Sequence, residues 1–384
     1  MSDLQRNMIK TRISVPKIPE DESETPDQDE LASLARFPPP LDSTPNLAGP
    51  KLRSRRPHYT ALPWSDYWTE SDTFTANDCA FKTYYSRPAS GSPAWFIFHH
   101  GAGSGALSFS VLARQLRDAL PHVGTFAFDA RGHGDSTRSD DFSLTALSAD
   151  AVALISHVVQ LSAPVEPEIV LVGHSLGGAV ATAAVHKIKE LWPEGLTMPT
   201  ISGLVVLDVV EGSALEGLGS MRSFIANRPT TFRSVEDSIR WHVKSHTVRN
   251  VDSARVSVPP IVQQQDAKFV WVTNLAATEP YWHDWFADLS NQFLTARTGK
   301  MLVLAGTDRL DRKLTIGQMQ GKYQLEVLHD VGHFIQEDAP AKLAELLEQF
   351  WFRNRKGAAL EIKALNAHST SASLSAVLPK TSKQ

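Results

Sequence analysis

Three residue types, far apart in the chain, stand at positions that suit acyl transfer. Gly173, Ser175 and Gly177 form G-x-S-x-G inside "IVLVGHSLGGAVATAAV", an apolar strand-like run followed by a turn and an alanine-rich helical pattern. A serine on such a tight strand-to-helix turn is exposed for attack, and the small neighbours let strand and helix approach closely. The N-terminus of the following helix favours negative charge developing at that point. A serine hydroxyl is a poor nucleophile until a base takes its proton. His333 follows Gly332 in "LEVLHDVGHFIQEDAP", which reads as a strand, a short loop and a helix start, so its imidazole can reach back to the serine. His329 is the rival, but it sits at the strand end and is expected to point elsewhere.

A third group must orient the imidazole and stabilise its charged form. Asp208 closes the run "LVVLD" and Asp308 closes "MLVLAGTD". Strand position favours Asp308, yet the residues alone leave both open, the loser capping a loop or pairing with Arg309 or Arg312. An oxyanion hole needs two backbone N–H groups. One is that of Leu176, directly after the serine. The other is that of Ala102 or Gly103 in "HHGAGSGAL", a turn shaped by His100 and Gly101. His99 and His100 have no cysteine or acidic partner at metal-ligand spacing. No glycine-rich nucleotide-binding pattern stands in context, so neither metal nor organic cofactor is expected. Arg131 and His133 in "DARGHGDS" are read as structural hydrogen-bonding groups around the pocket.

These residues need a sheet to carry them. "AWFIFHHG", "VGTFAFDA", "EIVLVG", "ISGLVVLDVV" and "KMLVLAG" are short apolar runs closed by Gly, Asp or Ala, as expected for parallel strands buried on both faces. Helical patterns lie between and after them: "LSFSVLARQLRDAL", "LTALSADAVALISHVVQLS", "GGAVATAAVHKIKELW" and "APAKLAELLEQFWF". The repeated order predicts one α/β domain with a mostly parallel, doubly wound sheet over residues 59–356. Residues 211–291 are too long for a loop and read as a helical cap over the sheet's C-terminal edge, where ligands bind in such sheets.

Residues 1–58 and 357–384 are rich in Pro, Ser and charge and are expected to be disordered. The chain has 384 residues, 42% of them hydrophobic, and a net charge of -4, which argues against nucleic acid as a partner. Its densest basic cluster, Lys51, Arg53, Arg55 and Arg56, reads as a solvated linker. The single cysteine, Cys79, excludes an intrachain disulfide and suits a reducing compartment. Neither a secretory h-region nor a long uncharged apolar run is evident, so the expectation is a soluble protein of the cytoplasm, with the nucleus as a second compartment.

Beyond the fold, "PWSDYW" (Pro63–Trp68), "LDVVEGSALEGLGSM" (Leu207–Met221), "RPTTFRSVEDSIRWHVKS" (Arg228–Ser245), "RNVDSARVS" (Arg249–Ser257) and "LAGTDRLDRKLTIGQMQGKYQ" (Leu304–Gln324) closely resemble the protein phosphatase methylesterases, a branch of the α/β-hydrolase fold. The resemblance covers roughly residues 53–355, cap included. It implies hydrolysis of the C-terminal leucine methyl ester of the protein phosphatase 2A catalytic subunit, and binding to that subunit's active-site region. It implies Ser175 as nucleophile, His333 as base and Asp208 as acid, against the positional preference for Asp308. Where animal relatives carry a long acidic insert after "ARVS", this chain has only "VPPIVQQQDAKFVW". Two other readings compete: a small-molecule carboxylesterase, and a phosphatase-binding inhibitor with incidental hydrolysis.

Overall fold

The computed structural model describes residues 58–306 and 310–355. The expectations for the N-terminal segment, for Asp308 and Arg309, and for the tail fall on residues outside these.

Strands β1 (Glu70–Ala76), β2 (Cys79–Ser86), β3 (Ala94–His99), β4 (Gly124–Phe128), β5 (Glu168–His174), β6 (Thr200–Leu207), β10 (Gly299–Ala305) and β11 (Gln324–Leu328) form one sheet in the order β1-β2-β4-β3-β5-β6-β10-β11. From β4 to β11 every neighbour is parallel, and β2 is antiparallel to both β1 and β4. The continuous apolar runs are explained by what covers each face. Ile169 and Leu171 of β5 face one core together with Leu204 and Val206 of β6. Val170 and Val172 face the other with Val205 and Leu207. A period-two alternation is present, but both phases are buried, so no polar residue marks it.

Helices α1 (Ser110–Ala119) and α12 (Pro340–Asn354) cover one face; α2 (Leu144–Ser162) and α3 (Leu176–Leu191) cover the other. Helix α2 has the length and hydropathy of a membrane span. Its Leu147, Val152, Leu154, Ile155 and Val158 lie instead in the core beside the sheet. Ser143 starts it by accepting the Ala146 N–H at 3.2 Å.

Between β6 and β10 lie the helices α4 (Glu211–Glu216), α5 (Leu218–Asn227), α6 (Val235–Lys244), α7 (Val251–Ser257), α8 (Trp282–Phe286) and α9 (Leu289–Thr295). They are joined by an antiparallel sheet of β7 (Thr231–Phe232), β8 (Val262–Gln265) and β9 (Lys268–Trp271), in the order β7-β9-β8. This sheet was not anticipated in a segment read as helical. Its strands are two to four residues long and include "VQQQ", too short and too polar to show a pattern. Part of the segment has its own small core of Ile239, Val248, Ala254, Val258 and Ile261. Trp282, Trp285 and Phe286 of α8 join the main core instead.

Candidate active site

Ser175 sits at the end of β5 with φ 52° and ψ −121°, in the left-handed half of backbone space where a side chain is strained. Glycine makes this turn possible. A Cβ at Gly173 would lie 2.1 Å from the Gly177 carbonyl oxygen, and one at Gly177 would lie 2.2 Å from that of His99. The Ser175 N–H donates to Leu207 O at 2.9 Å, tying the turn to the end of β6. Leu176 is the first residue of α3, so its N–H has no intrahelical acceptor.

One residue past β6, Asp208 also has a positive φ, 53°. That backbone turns the side chain along the strand ends. Its Oδ1 accepts the Ala305 N–H at 2.7 Å, and its Oδ2 lies 2.7 Å from His333 Nδ1. The aspartate side chain is 10% exposed and the histidine 50%. A buried carboxylate at Nδ1 fixes the proton there and leaves Nε2 as the basic nitrogen. Neither Ser175 Oγ nor His333 Nε2 has a hydrogen-bond partner among the described residues. Such pairs commonly tighten only when substrate is bound. His329 is exposed and makes no bond to Asp208.

The loop bearing His333 is held from two sides, and the sequence reading missed both. The His174 Nε2–H donates to the carbonyl of His333 at 2.8 Å, with the two rings 4.6 Å apart. Burial, with His333 nearby, holds His174 neutral, well below the usual imidazole range. Asp338 accepts the Gly332 N–H at Oδ2 and the Arg249 N–H at Oδ1, both at 2.7 Å. One carboxylate thus joins the histidine loop to the cap. "GHFIQED" offered a signal, an acid just after the loop, but nothing in it named the partners.

The loop opposite Ser175 separates the two oxyanion candidates. Gly103 donates its N–H to His133 Nε2 at 2.9 Å, so that group is already used. The Ala102 N–H has no partner among the described residues. His133 in turn donates from Nδ1 to Arg131 O at 2.9 Å. Both ring nitrogens of His100 are engaged, Nδ1 donating to Gly101 O and Nε2 accepting the Ala130 N–H. Burial lowers the His133 pKa to about 4 and holds that of His100 well below its ordinary value, which keeps both as neutral acceptors. Arg131 anchors this region through a paired contact to Asp150 at 2.5 and 2.7 Å.

Beyond Ala102 and Gly103 a narrow cleft of about 50 Å³, partly open to solvent, runs between the oxyanion loop and the cap. Trp241, Trp271, Leu275 and Phe334 give it aromatic and apolar walls. A strained serine, a histidine–carboxylate pair and two unspent N–H groups at the carboxyl ends of parallel strands can transfer an acyl group to water.

The fold and this site define a serine carboxylesterase of the α/β-hydrolase class, and the sequence pattern of the alpha/beta hydrolase family matches residues 96–346. More narrowly, the chain belongs to the protein phosphatase methylesterase 1 family. It is 46% identical over 301 residues to protein phosphatase methylesterase 1 of Schizosaccharomyces pombe, covering 76% of this chain and 85% of the relative. The Gibberella zeae protein of the same name is 40% identical, with 93% and 96% covered. Among solved structures, E-2-(acetamidomethylene)succinate hydrolase aligns with a TM-score of 0.59 at 18% identity, over 73% of this chain and 98% of that one. A Mycobacterium tuberculosis esterase aligns with 0.52 at 20% identity, over 73% and 91%. At these identities the solved structures speak for the fold alone.

Proposed function

We propose that this protein removes the methyl ester from the C-terminal leucine of the protein phosphatase 2A catalytic subunit, using Ser175, His333 and Asp208. The observation that carries the catalytic part is the 2.7 Å contact of His333 Nδ1 with Asp208 Oδ2, at strand ends beside the strained serine. Family membership supports the substrate class.

Ser175 Oγ attacks the leucine ester carbonyl as His333 Nε2 takes its proton, and Asp208 stabilises the imidazolium. The negative oxygen rests on the N–H groups of Leu176 and Ala102. His333 then protonates the departing methanol, and a water activated by the same nitrogen releases the free carboxylate. Methanol is too small to be selected, so discrimination falls to the acyl side, where the cap-walled cleft supplies contact area.

Incubation of the pure protein with methylated phosphatase, following loss of the methyl ester, is the test. Demethylation that disappears in Ser175→Ala supports the reading. Fast cleavage of short aryl esters with none of the phosphatase would leave a small-molecule esterase instead.

A further inference from the structure

Three titratable side chains line the cleft between oxyanion loop and cap, and two of them are uncharged at neutral pH. Burial lowers His242 to about 4, its Nδ1–H donating to Ser238 O at 2.8 Å. Burial raises Glu337 to about 8, with the Ser257 hydroxyl donating to it at 2.6 Å. The third is Arg228, and a guanidinium stays protonated in any protein environment. Among the described residues no carboxylate pairs with its guanidinium and no acceptor takes the guanidinium N–H groups. Its charged group lies 4.3 Å from the centre of the Trp271 ring, which offsets part of the cost of removing it from water.

The cap fixes this pair before any ligand arrives. The Trp271 indole N–H donates to Pro229 O at 2.7 Å, and Thr231 of β7 faces Val270 of β9. A half-buried cation on an aromatic plate, with its hydrogen-bonding edge unspent, costs free energy that an incoming anion recovers.

Arg228 and Trp271 line both the cleft of the oxyanion loop and an open surface depression of about 290 Å³ along Pro229, Thr230 and Asn274. Methanol is too small to reach this surface, whereas the acyl side of a peptide ester is long enough to do so. We propose that Arg228, seated on Trp271, is a specificity subsite that binds the carboxylate of an Asp or Glu side chain lying a few residues before the esterified C-terminus. This rests on the methylesterase reading given above. The planar fork of arginine matches the two oxygens of a carboxylate, and a neutral amide of the same shape cannot replace the charge.

The test uses short peptides ending in leucine methyl ester, with one Asp, Asn or Lys placed in turn at each position before the leucine. They are assayed with the full-length wild type, Arg228→Gln and Arg228→Glu. At one position the wild type is expected to favour Asp over Asn by about tenfold in kcat/KM. Arg228→Gln brings that ratio close to one, and Arg228→Glu turns the preference towards Lys. A wild-type ratio of one at every position, or a preference that persists in Arg228→Gln, overturns the subsite. An equal loss on Asp and Asn peptides also overturns it, because arginine would then only shape the groove. If the wild type hydrolyses none of these esters while demethylating no phosphatase either, the methylesterase reading fails. The subsite is then judged by calorimetry of the free peptide acids with Ser175→Ala. An Asp-over-Asn difference that vanishes in the Ser175→Ala, Arg228→Gln double variant supports it, and equal binding overturns it.

Discussion

Asp208 divides its two oxygens between a backbone and a side chain, Oδ1 taking the Ala305 N–H and Oδ2 facing His333 Nδ1. Replacing it with Asn puts an NH2 group against one of these donors and favours the wrong imidazole tautomer. Asp208→Asn is therefore expected to lower kcat on the order of 10⁴-fold with the fold intact, measured by ester turnover and thermal melting. Glu337 is different, an acid whose charge is suppressed. Burial, reinforced by Asp338, lifts its pKa to about 8 although the Ser257 hydroxyl works against the shift. Between its unfolded value near 4.5 and about 8 the folded state holds a proton that the unfolded state has lost, so stability falls as pH rises through that window. Glu337→Gln removes this contribution, so between pH 5 and 8 its urea midpoint should gain on that of the wild type as pH rises. An unchanged slope would show that Glu337 is ionised in the fold.

At the scale of elements, the loop between β11 and α11 (Ile335–Asp338) is tied by hydrogen bonds as well as by the packing of Val331 and Phe334. Asp338→Asn keeps the shape but can no longer accept both the Gly332 and the Arg249 N–H groups. Loss of either tether displaces His333 relative to Ser175. The expected outcome is a kcat reduced roughly 10- to 100-fold with only a small change in melting temperature. Strands β3, β5, β6 and β10 were legible because burial on both faces makes each an unbroken apolar run. The β1–β2 hairpin was not, since "ESDTFTA" is half exposed and its strand propensity is diluted by charge. Its turn was signalled all the same: Asn77 and Asp78 both take positive φ, 49° and 56°, as two-residue hairpin turns require. The strained turn at Ser175 and the loop position of His333 could be read from local motifs. Strand position did not point to the contact of Asp208 with His333, which depends on a strand end that curls back through φ 53°. The histidines that hold the oxyanion loop were seen only as structural candidates, since their partners come from distant backbone.

For the molecule as a whole, the imidazoles set the acid limit. His99, His100, His133, His174 and His242 are each at most 4% exposed. Burial holds His99, His133 and His242 at about 4 and keeps His100 and His174 well below the ordinary imidazole value. Below the unfolded value near 6.5 the unfolded chain gains protons that the native state refuses until about pH 4, so stability is lost as pH falls through that window. Each histidine contributes about 1.4 kcal/mol per pH unit there. Asp129, raised to about 6 by burial, Glu337, and Asp150 and Asp338, also raised by burial, act in the opposite sense but are outnumbered. Urea midpoints should therefore fall clearly from pH 7 to pH 5, with net proton uptake on unfolding at pH 5. Equal midpoints would mean that these rings are charged in the native state.

The backbone at Ser175 sets activity and durability against each other. Its φ of 52° is held in place by the surrounding sheet and helix, at a cost that glycine would not incur. An inert Ser175→Gly protein should accordingly melt higher than the active one, by about 2 °C for each kcal/mol of strain released. Selection for thermal robustness alone, without an activity screen, would then tend to erase the nucleophile, and consensus-style stabilisation of this scaffold has to exempt that one position.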